Sequence, residues 1–152
     1  MKDECFICGS PKFEVKSLFE LCDDCVDEIK SGYATMTVYK TVKIDVAHKI
    51  PGHITCGNMH GHTIKIVVGV QGRMDMNTGM VIDFKSLKLI IEKEVVDRFD
   101  HGCLNDTLPI PTAEYLAFYI YRKLNERGLN IVLIRVHETD DNYVDFTGSL
   151  YV

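Results

Sequence analysis

Between Tyr33 and His48 the chain alternates in polarity. Ala34, Met36, Val38, Val42, Ile44, Val46 and His48 share one parity, and Thr35, Thr37, Tyr39, Thr41, Lys43 and Asp45 share the other. A period of two, with β-branched residues throughout, predicts a strand with one buried face. A second strand is expected from about His60 to Gln71, where Ile64, Ile66, Val68 and Val70 share parity with His60 and His62. The period then lengthens. Phe84, Leu87, Ile91 and Val95 form an apolar stripe at helical spacing behind Asp83, a good N-cap, and this helix should end before Asp100-His101-Gly102. A second helix follows Pro109-Ile110-Pro111, with Ala113, Leu116, Ala117, Ile120 and Leu124 on one face and Gly128 as its stop. Strands from Asn130 to Glu138 and from Tyr143 to Val152 flank a polar turn at Asp140-Asp141-Asn142. The order β-β-α-α-β-β predicts an α+β fold, an antiparallel sheet with both helices on one face. The other face is left to cover, and association with further subunits is the expected solution.

Residues 1–32 stand apart from this pattern and read as a small extension to a main domain over 33–152. The extension holds four of the six cysteines and ends at a short linker, Lys30-Ser31-Gly32. Cys5-x-x-Cys8 and Cys22-x-x-Cys25 are separated by thirteen residues. Each pair brings two sulfurs to one ion, so the four suit tetrahedral zinc in a ribbon-like knuckle. The other reading is two redox pairs. A closed four-thiolate site has no open position and is structural, stabilising a segment too short to bury a core of its own.

Composition narrows the class. With 46% hydrophobic and 26% charged residues, the chain should be globular and soluble. A net charge of −5 argues against nucleic acid as a partner. No apolar run approaches the roughly 18 residues that span a bilayer. Met1–Ser10 lacks the apolar core of a signal peptide, so a cytoplasmic location is the default expectation.

The candidate chemistry gathers where the two first strands meet. His48 ends one strand, His60 and His62 begin the next, and all three extend the apolar faces. If the strands pair antiparallel, the three imidazoles converge at one end of the ladder. Three histidines without a fourth protein ligand form the pattern of a catalytic zinc, which keeps a position open. Cys56, in the loop four residues before His60, is then a candidate base with a thiol activated by the nearby ion; the alternative is a small buried hydrophobe. His53, in the same loop, reads as solvated, His137 as structural, and Cys103 as packing. Asp100 beside His101 could form a proton relay, although adjacency alone leaves the contact open. Glu138, at a strand end, could accept paired N–H donors or simply be solvated.

These segments together resemble the 6-pyruvoyltetrahydropterin synthase / 6-carboxytetrahydropterin synthase family. The matching pieces are Ala47-His48, Cys56-x-x-x-His60-Gly61-His62, Gly79-Met80-Val81-Ile82-Asp83-Phe84, Asp100-His101-x-x-Leu104-Asn105, Pro111-Thr112-Ala113-Glu114 and Val136-x-Glu138-Thr139. The resemblance covers residues 36–152 and implies the family's tunnelling fold. It implies a zinc ion held by His48, His60 and His62 and binding the side-chain oxygens of a reduced pterin. It implies proton abstraction by Cys56, a proton shuttle at Asp100 and His101, and a pterin ring anchored by Glu138. Thr112 and Glu114 match positions close to the pterin pocket. The implied substrate is 7,8-dihydroneopterin triphosphate, and the implied assembly is a homotrimer or homohexamer with active sites between subunits.

Loop length points to a branch of that family. Three residues separate Cys56 from His60, which resembles the 6-carboxytetrahydropterin synthases of 7-deazaguanine (queuosine and archaeosine) biosynthesis. The biopterin-type enzymes have a longer loop. Two features depart from the branch pattern. Ile44-Asp45-Val46 stands where the family carries an aromatic residue, and Asp140-Asp141-Asn142 is equally similar to the 6-pyruvoyl enzymes. A third reading is a non-catalytic zinc-ribbon scaffold. It would be expected to show a broken relay, whereas Cys56, Asp100, His101 and Glu138 are all present. The extension lies outside the family core.

Overall fold

The alternation of the first strands is realised in β1 (Thr35–His48) and β2 (His60–Arg73) of the computed structural model, which describes residues 22–30, 35–75 and 77–148. Ile44, Val46 and His48 of β1 and Ile64, Ile66, Val68 and Val70 of β2 are buried. Of their neighbours of opposite parity in β1, Lys43 and Asp45 are exposed and Ala47 is half-buried. β4 (Ile131–His137) pairs antiparallel with β2, setting Val136 beside Ile66 and Ile134 beside Val68, before the register shifts at Gly69/Val70. β5 (Tyr143–Phe146) pairs antiparallel with β4. The expected last strand was longer, to Val152; residues 149–152 lie outside the described residues.

Among the described residues the sheet has five strands, one more than the four the pattern of polarity predicts. β3 (Gly102–Cys103) follows the first long helix and pairs parallel with β1, Val46 beside Gly102 and Ala47 beside Cys103. The sheet order is β3-β1-β2-β4-β5, so it is mixed rather than purely antiparallel. Two residues carry no detectable period, which is why the pattern of polarity did not reveal them.

The first long helix is not uniform either. α2 (Phe84–Ile91) opens on Asp83, whose carboxylate accepts the N–H of Ser86 at 2.7 Å, then passes through a π-helical segment (Glu92–Val96) into a last turn, α3 (Asp97–Phe99). The cause is visible in the spacing. Leu87, Ile91, Val95 and Phe99 are all buried and all four residues apart. Each such step overshoots an α-helical turn by about 40°, so the stripe would drift off the core. The wider turn, in which Asp97 N–H reaches Glu92 C=O, takes up the extra residue. Phe84, expected in the stripe, is instead 53% exposed.

α4 (Leu104–Thr107) leads to α5 (Ala113–Glu126), which buries Leu116, Ala117, Ile120 and Leu124 and packs on β4, β5 and the π segment. Gly128 has φ +80 and ends it as expected. The opposite sheet face carries Tyr39, Thr41, Lys65, Val67, Leu133, Arg135 and His137 around a shallow cavity of about 360 Å³. On that face Arg135 holds Asp145 through two bonds of 2.6 and 2.7 Å.

The chain divides into two compact units, one of Thr37–Gln71 with Asp83–Val152 and one of Met1–Met36 with Gly72–Ile82. In the second, α1 (Asp23–Lys30) begins beside Cys22 and contains Cys25, both buried. Cys5 and Cys8, the other half of the expected four-thiolate site, lie outside the described residues. Among the described residues, no helix is long and apolar enough to cross a membrane.

Candidate metal centre and active site

The parity argument for the three histidines holds. The rings of His48 and His60 are 4.5 Å apart between centroids, those of His48 and His62 5.2 Å, and those of His60 and His62 5.0 Å. One nitrogen from each lies within 4.8 Å of the others. The far nitrogens are already engaged. His48 Nδ1 lies 2.7 Å from the carbonyl of Pro111, and His60 Nδ1 lies 2.8 Å from that of Asn58. A carbonyl only accepts, so each Nδ1 carries a proton, and in the neutral ring that leaves the Nε2 lone pair free for a metal. Nε2 of His48 and of His62 are buried without a hydrogen-bond partner. Burial lowers the pKa of His62 below the usual histidine value; Glu138 pulls the other way, and His48 and His60 add to the lowering. Three converging imidazoles, two of them with a buried nitrogen that has no partner, make a donor set that suits a divalent metal.

Glu138 leaves the end of β4 and faces this cluster. Its carboxylate is 3.4 Å from His48 Nε2 and 3.8 Å from His62 Nε2. The expected polar turn fixes it: Glu138 N–H and Thr139 N–H donate to the carbonyl of Asn142 at 3.0 and 3.3 Å. Asn142 N–H in turn donates to Thr139 Oγ1 at 3.0 Å. His137, one residue back, points to the opposite sheet face and stacks on Tyr143 at 4.9 Å.

Asp100 and His101 do touch. His101 Nδ1 is 3.0 Å from Asp100 Oδ2. Asp45 grips both from β1: its N–H donates to Asp100 Oδ1 at 2.8 Å, and its carbonyl accepts the N–H of His101 at 2.7 Å. The Asp45 N–H, and after it His101, hold the Asp100 pKa below the usual carboxylate range. His101 sits at φ +57, a conformation that a side chain resists, so the grip on its backbone holds it there. Its ring is exposed and lines, with His62, Thr63 and Asp45, an open cavity of about 460 Å³. Asp45 is half of a clamp that the sequence reading noted only as a departure from pattern.

Cys56 lies half-buried in the loop between β1 and β2. The loop is tied down by Asn105, whose side chain takes the N–H of Lys49 and donates to its carbonyl, both at 2.9 Å. His53 is not merely solvated: its Nδ1 accepts the N–H of Cys56 at 3.1 Å. Neither role could be read from spacing, since both depend on how the loop folds back. Cys103 is half-buried, its sulfur 3.8 Å from Asn105 Oδ1. Thr112 is the N-cap of α5, its hydroxyl accepting Tyr115 N–H at 3.3 Å, and Glu114 is exposed in the first turn. The adjoining Pro111 carbonyl is the group that orients His48.

Comparison with known proteins follows the same lines. A family model described as 6-pyruvoyl tetrahydropterin synthase matches residues 37–149. Over 110 residues the chain is 42% identical to a putative 6-carboxy-5,6,7,8-tetrahydropterin synthase of Archaeoglobus fulgidus, covering 72% of this chain and 94% of that one. It is 31% identical over 136 residues to the 6-carboxy-5,6,7,8-tetrahydropterin synthase of Haemophilus influenzae, covering 72% and 96%. It is 36% identical over 108 residues to the human 6-pyruvoyl tetrahydrobiopterin synthase, covering 66% and 74%. Among solved structures, that of the Caenorhabditis elegans 6-pyruvoyl tetrahydropterin synthase superposes with a TM-score of 0.69 at 24% identity, over 76% of this chain and 96% of that one. At that identity the likeness speaks for the fold, which is the expected α+β tunnelling fold.

Proposed function

The chain belongs to the 6-pyruvoyl tetrahydropterin synthase family, and we propose that within it the protein is a zinc-dependent 6-carboxytetrahydropterin synthase. The reading rests on one observation above the others: His48, His60 and His62 each bring a ring nitrogen within 4.8 Å of the others, Nε2 of His48 and of His62 are buried without a partner, and the Glu138 carboxylate faces the same point. His48, His60 and His62 would hold the zinc. Bound there, zinc supplies Lewis acidity toward the side-chain oxygens of a reduced pterin. Cys56 takes a proton from the substrate's side-chain carbon. Asp100 keeps the proton of His101 on Nδ1, so Nε2 is the atom that exchanges a proton with substrate. Glu138 accepts the paired N–H groups of the pterin ring as a charge-assisted contact.

The proposed substrate is 7,8-dihydroneopterin triphosphate, and the products are 6-carboxytetrahydropterin, acetaldehyde and triphosphate, on the route to 7-deazaguanines. The three-residue interval between Cys56 and His60 supports this branch, and so do the two 6-carboxy relatives. The turn at Asp140-Asp141-Asn142 is equally compatible with the alternative, 6-pyruvoyltetrahydropterin, and the human relative supports that alternative. The open sheet face is proposed to be covered by further copies in a homotrimer or homohexamer. Residues 1–32 are proposed to hold a second, structural zinc through Cys5, Cys8, Cys22 and Cys25. Thiolate sites persist in reducing surroundings, and on that ground the enzyme is assigned to the cytoplasm.

An acetaldehyde assay on the zinc-loaded protein and on Cys56→Ala tests the catalytic reading. Acetaldehyde from the wild type and at least about a hundredfold less from the variant is expected for loss of a positioned base. Full turnover by Cys56→Ala would remove Cys56 from the mechanism.

A further inference from the structure

The loop that carries Cys56 is shaped from within. Ile50 N–H donates to the carbonyl of Cys56 at 2.7 Å, and His53 N–H donates to that of Ile50 at 3.1 Å, which closes the neck of the loop. The imidazole of His53 then folds back on the residue to be placed. Its Nδ1 accepts Cys56 N–H at 3.1 Å and lies 3.2 Å from Thr55 Oγ1. Thr55 Oγ1 lies 3.5 Å from the sulfur of Cys56. A ring nitrogen that accepts a backbone N–H has no proton of its own, so His53 is the Nε2–H tautomer. The path is narrow: a Cβ on Gly57 would come within 2.5 Å of the His53 carbonyl oxygen.

We propose that His53 is a positioning residue for Cys56, acting through the Cys56 amide and the Thr55 hydroxyl. The proposal rests on the reading of Cys56 as the proton-abstracting thiol. The Thr55 hydroxyl has one proton and two acceptors within reach. While Cys56 is a thiol, Thr55 O–H shares the His53 Nδ1 lone pair with the Cys56 amide, and the S–H donates to the hydroxyl oxygen. When the thiol gives its proton to solvent, Thr55 O–H turns to the sulfur and stabilises the thiolate. The Cys56 amide stays on His53 throughout, so the loop keeps its place while the hydroxyl turns. When the thiolate takes a proton from substrate, the hydroxyl turns back.

Site-resolved alkylation of the full zinc-loaded chain by iodoacetamide tests this. Cleavage after Lys49 and Lys65 isolates the peptide Ile50–Lys65, which contains Cys56 as its one cysteine. Thr55→Val should slow alkylation of Cys56 by roughly tenfold, the worth of a hydrogen bond to a charged partner, and His53→Ala should slow it by about threefold or more, because the bond lost to the Cys56 amide is a neutral one. His53→Asn should recover most of the wild-type rate, because its side-chain oxygen can take the Cys56 N–H. Zinc content and melting temperature show that each variant is folded, and Thr55→Val carries the test if His53→Ala does not fold. An unchanged or faster rate in Thr55→Val and His53→Ala, or no recovery in His53→Asn, overturns the proposal. Alkylation reads the surroundings of the thiol rather than turnover. Activity in Cys56→Ala would therefore remove the base while leaving this result to stand or fall by itself.

Discussion

The carboxylate of Glu138 stands 3.4 Å from Nε2 of His48, a buried nitrogen that has no hydrogen-bond partner. An imidazole lone pair and a carboxylate repel each other, so this approach calls for a positive charge, a metal ion or a proton, between or beside them. The same carboxylate is only half-buried, leaving it open to a second partner. Glu138→Gln keeps the shape and removes the charge. We expect a rise in KM of about ten- to a hundredfold, the range for a lost charge-assisted pair. Zinc bound at the histidines should be retained. An unchanged KM measured with the pterin triphosphate would show that Glu138 does not anchor the ring.

Removing a ligand separates the metal from the anchor. His48→Ala should lose the histidine-site zinc, measured by elemental analysis, and should also leave the Pro111 carbonyl without its donor. The metal should also respond to acid in a defined direction. Burial holds the His62 pKa below the ordinary value of 6.5. The unfolded chain therefore binds a proton at His62 before the native chain does. Stability from this group is present above that value and is lost as pH falls toward the lower, native one. Metal-free protein should melt at lower temperature as pH is reduced below 6.5, and zinc should persist somewhat below that pH. A melting temperature that rises on acidification would contradict the sign.

The four-residue spacing through the π segment gives a contrast between two phenylalanines. Phe99 is 1% exposed and stacks edge-on against Tyr119 at 5.4 Å, while Phe84 is 53% exposed. Phe99→Ala should cost about 3–5 kcal/mol of stability. Phe84→Ser should stay within about 0.5 kcal/mol. Denaturant unfolding of both distinguishes this stripe from one that runs straight down an α-helix.

The proposed ribbon has its own signature. Replacing Cys5 and Cys8 together by serine should release about one equivalent of zinc and lower the melting temperature, with the histidine site still loaded. No change in metal content would remove the four-thiolate reading.

Much of this was legible in the chain before its structure. The parity of His48 with Ile44 and Val46, and of His60 and His62 with Ile64 and Ile66, placed three imidazoles on the apolar side of the sheet because strands repeat every two residues. Asp83 and Gly128 marked a helix start and a helix end through their own backbone chemistry. What escaped depends on long-range closure. β3 is too short to show a period, and its pairing with β1 is set by the turn at Asp100 and His101. Asn105 reaches back 56 residues to Lys49, and Asp45 reaches 55 to Asp100, distances over which no periodicity speaks. His53 is exposed, as expected, but its bond to the Cys56 amide depends on how the loop folds back. Phe84 fitted the helical stripe on paper, but the stripe proper repeats in fours from Leu87 to Phe99.

The central claim is tested most directly by the product. Zinc-loaded full-length protein would be incubated with 7,8-dihydroneopterin triphosphate and the pterin identified by mass spectrometry, with acetaldehyde assayed in parallel. The account predicts 6-carboxytetrahydropterin together with acetaldehyde. 6-Pyruvoyltetrahydropterin without acetaldehyde would contradict the branch and make the turn after Glu138 the better guide. Unchanged substrate would contradict the catalytic reading of the site.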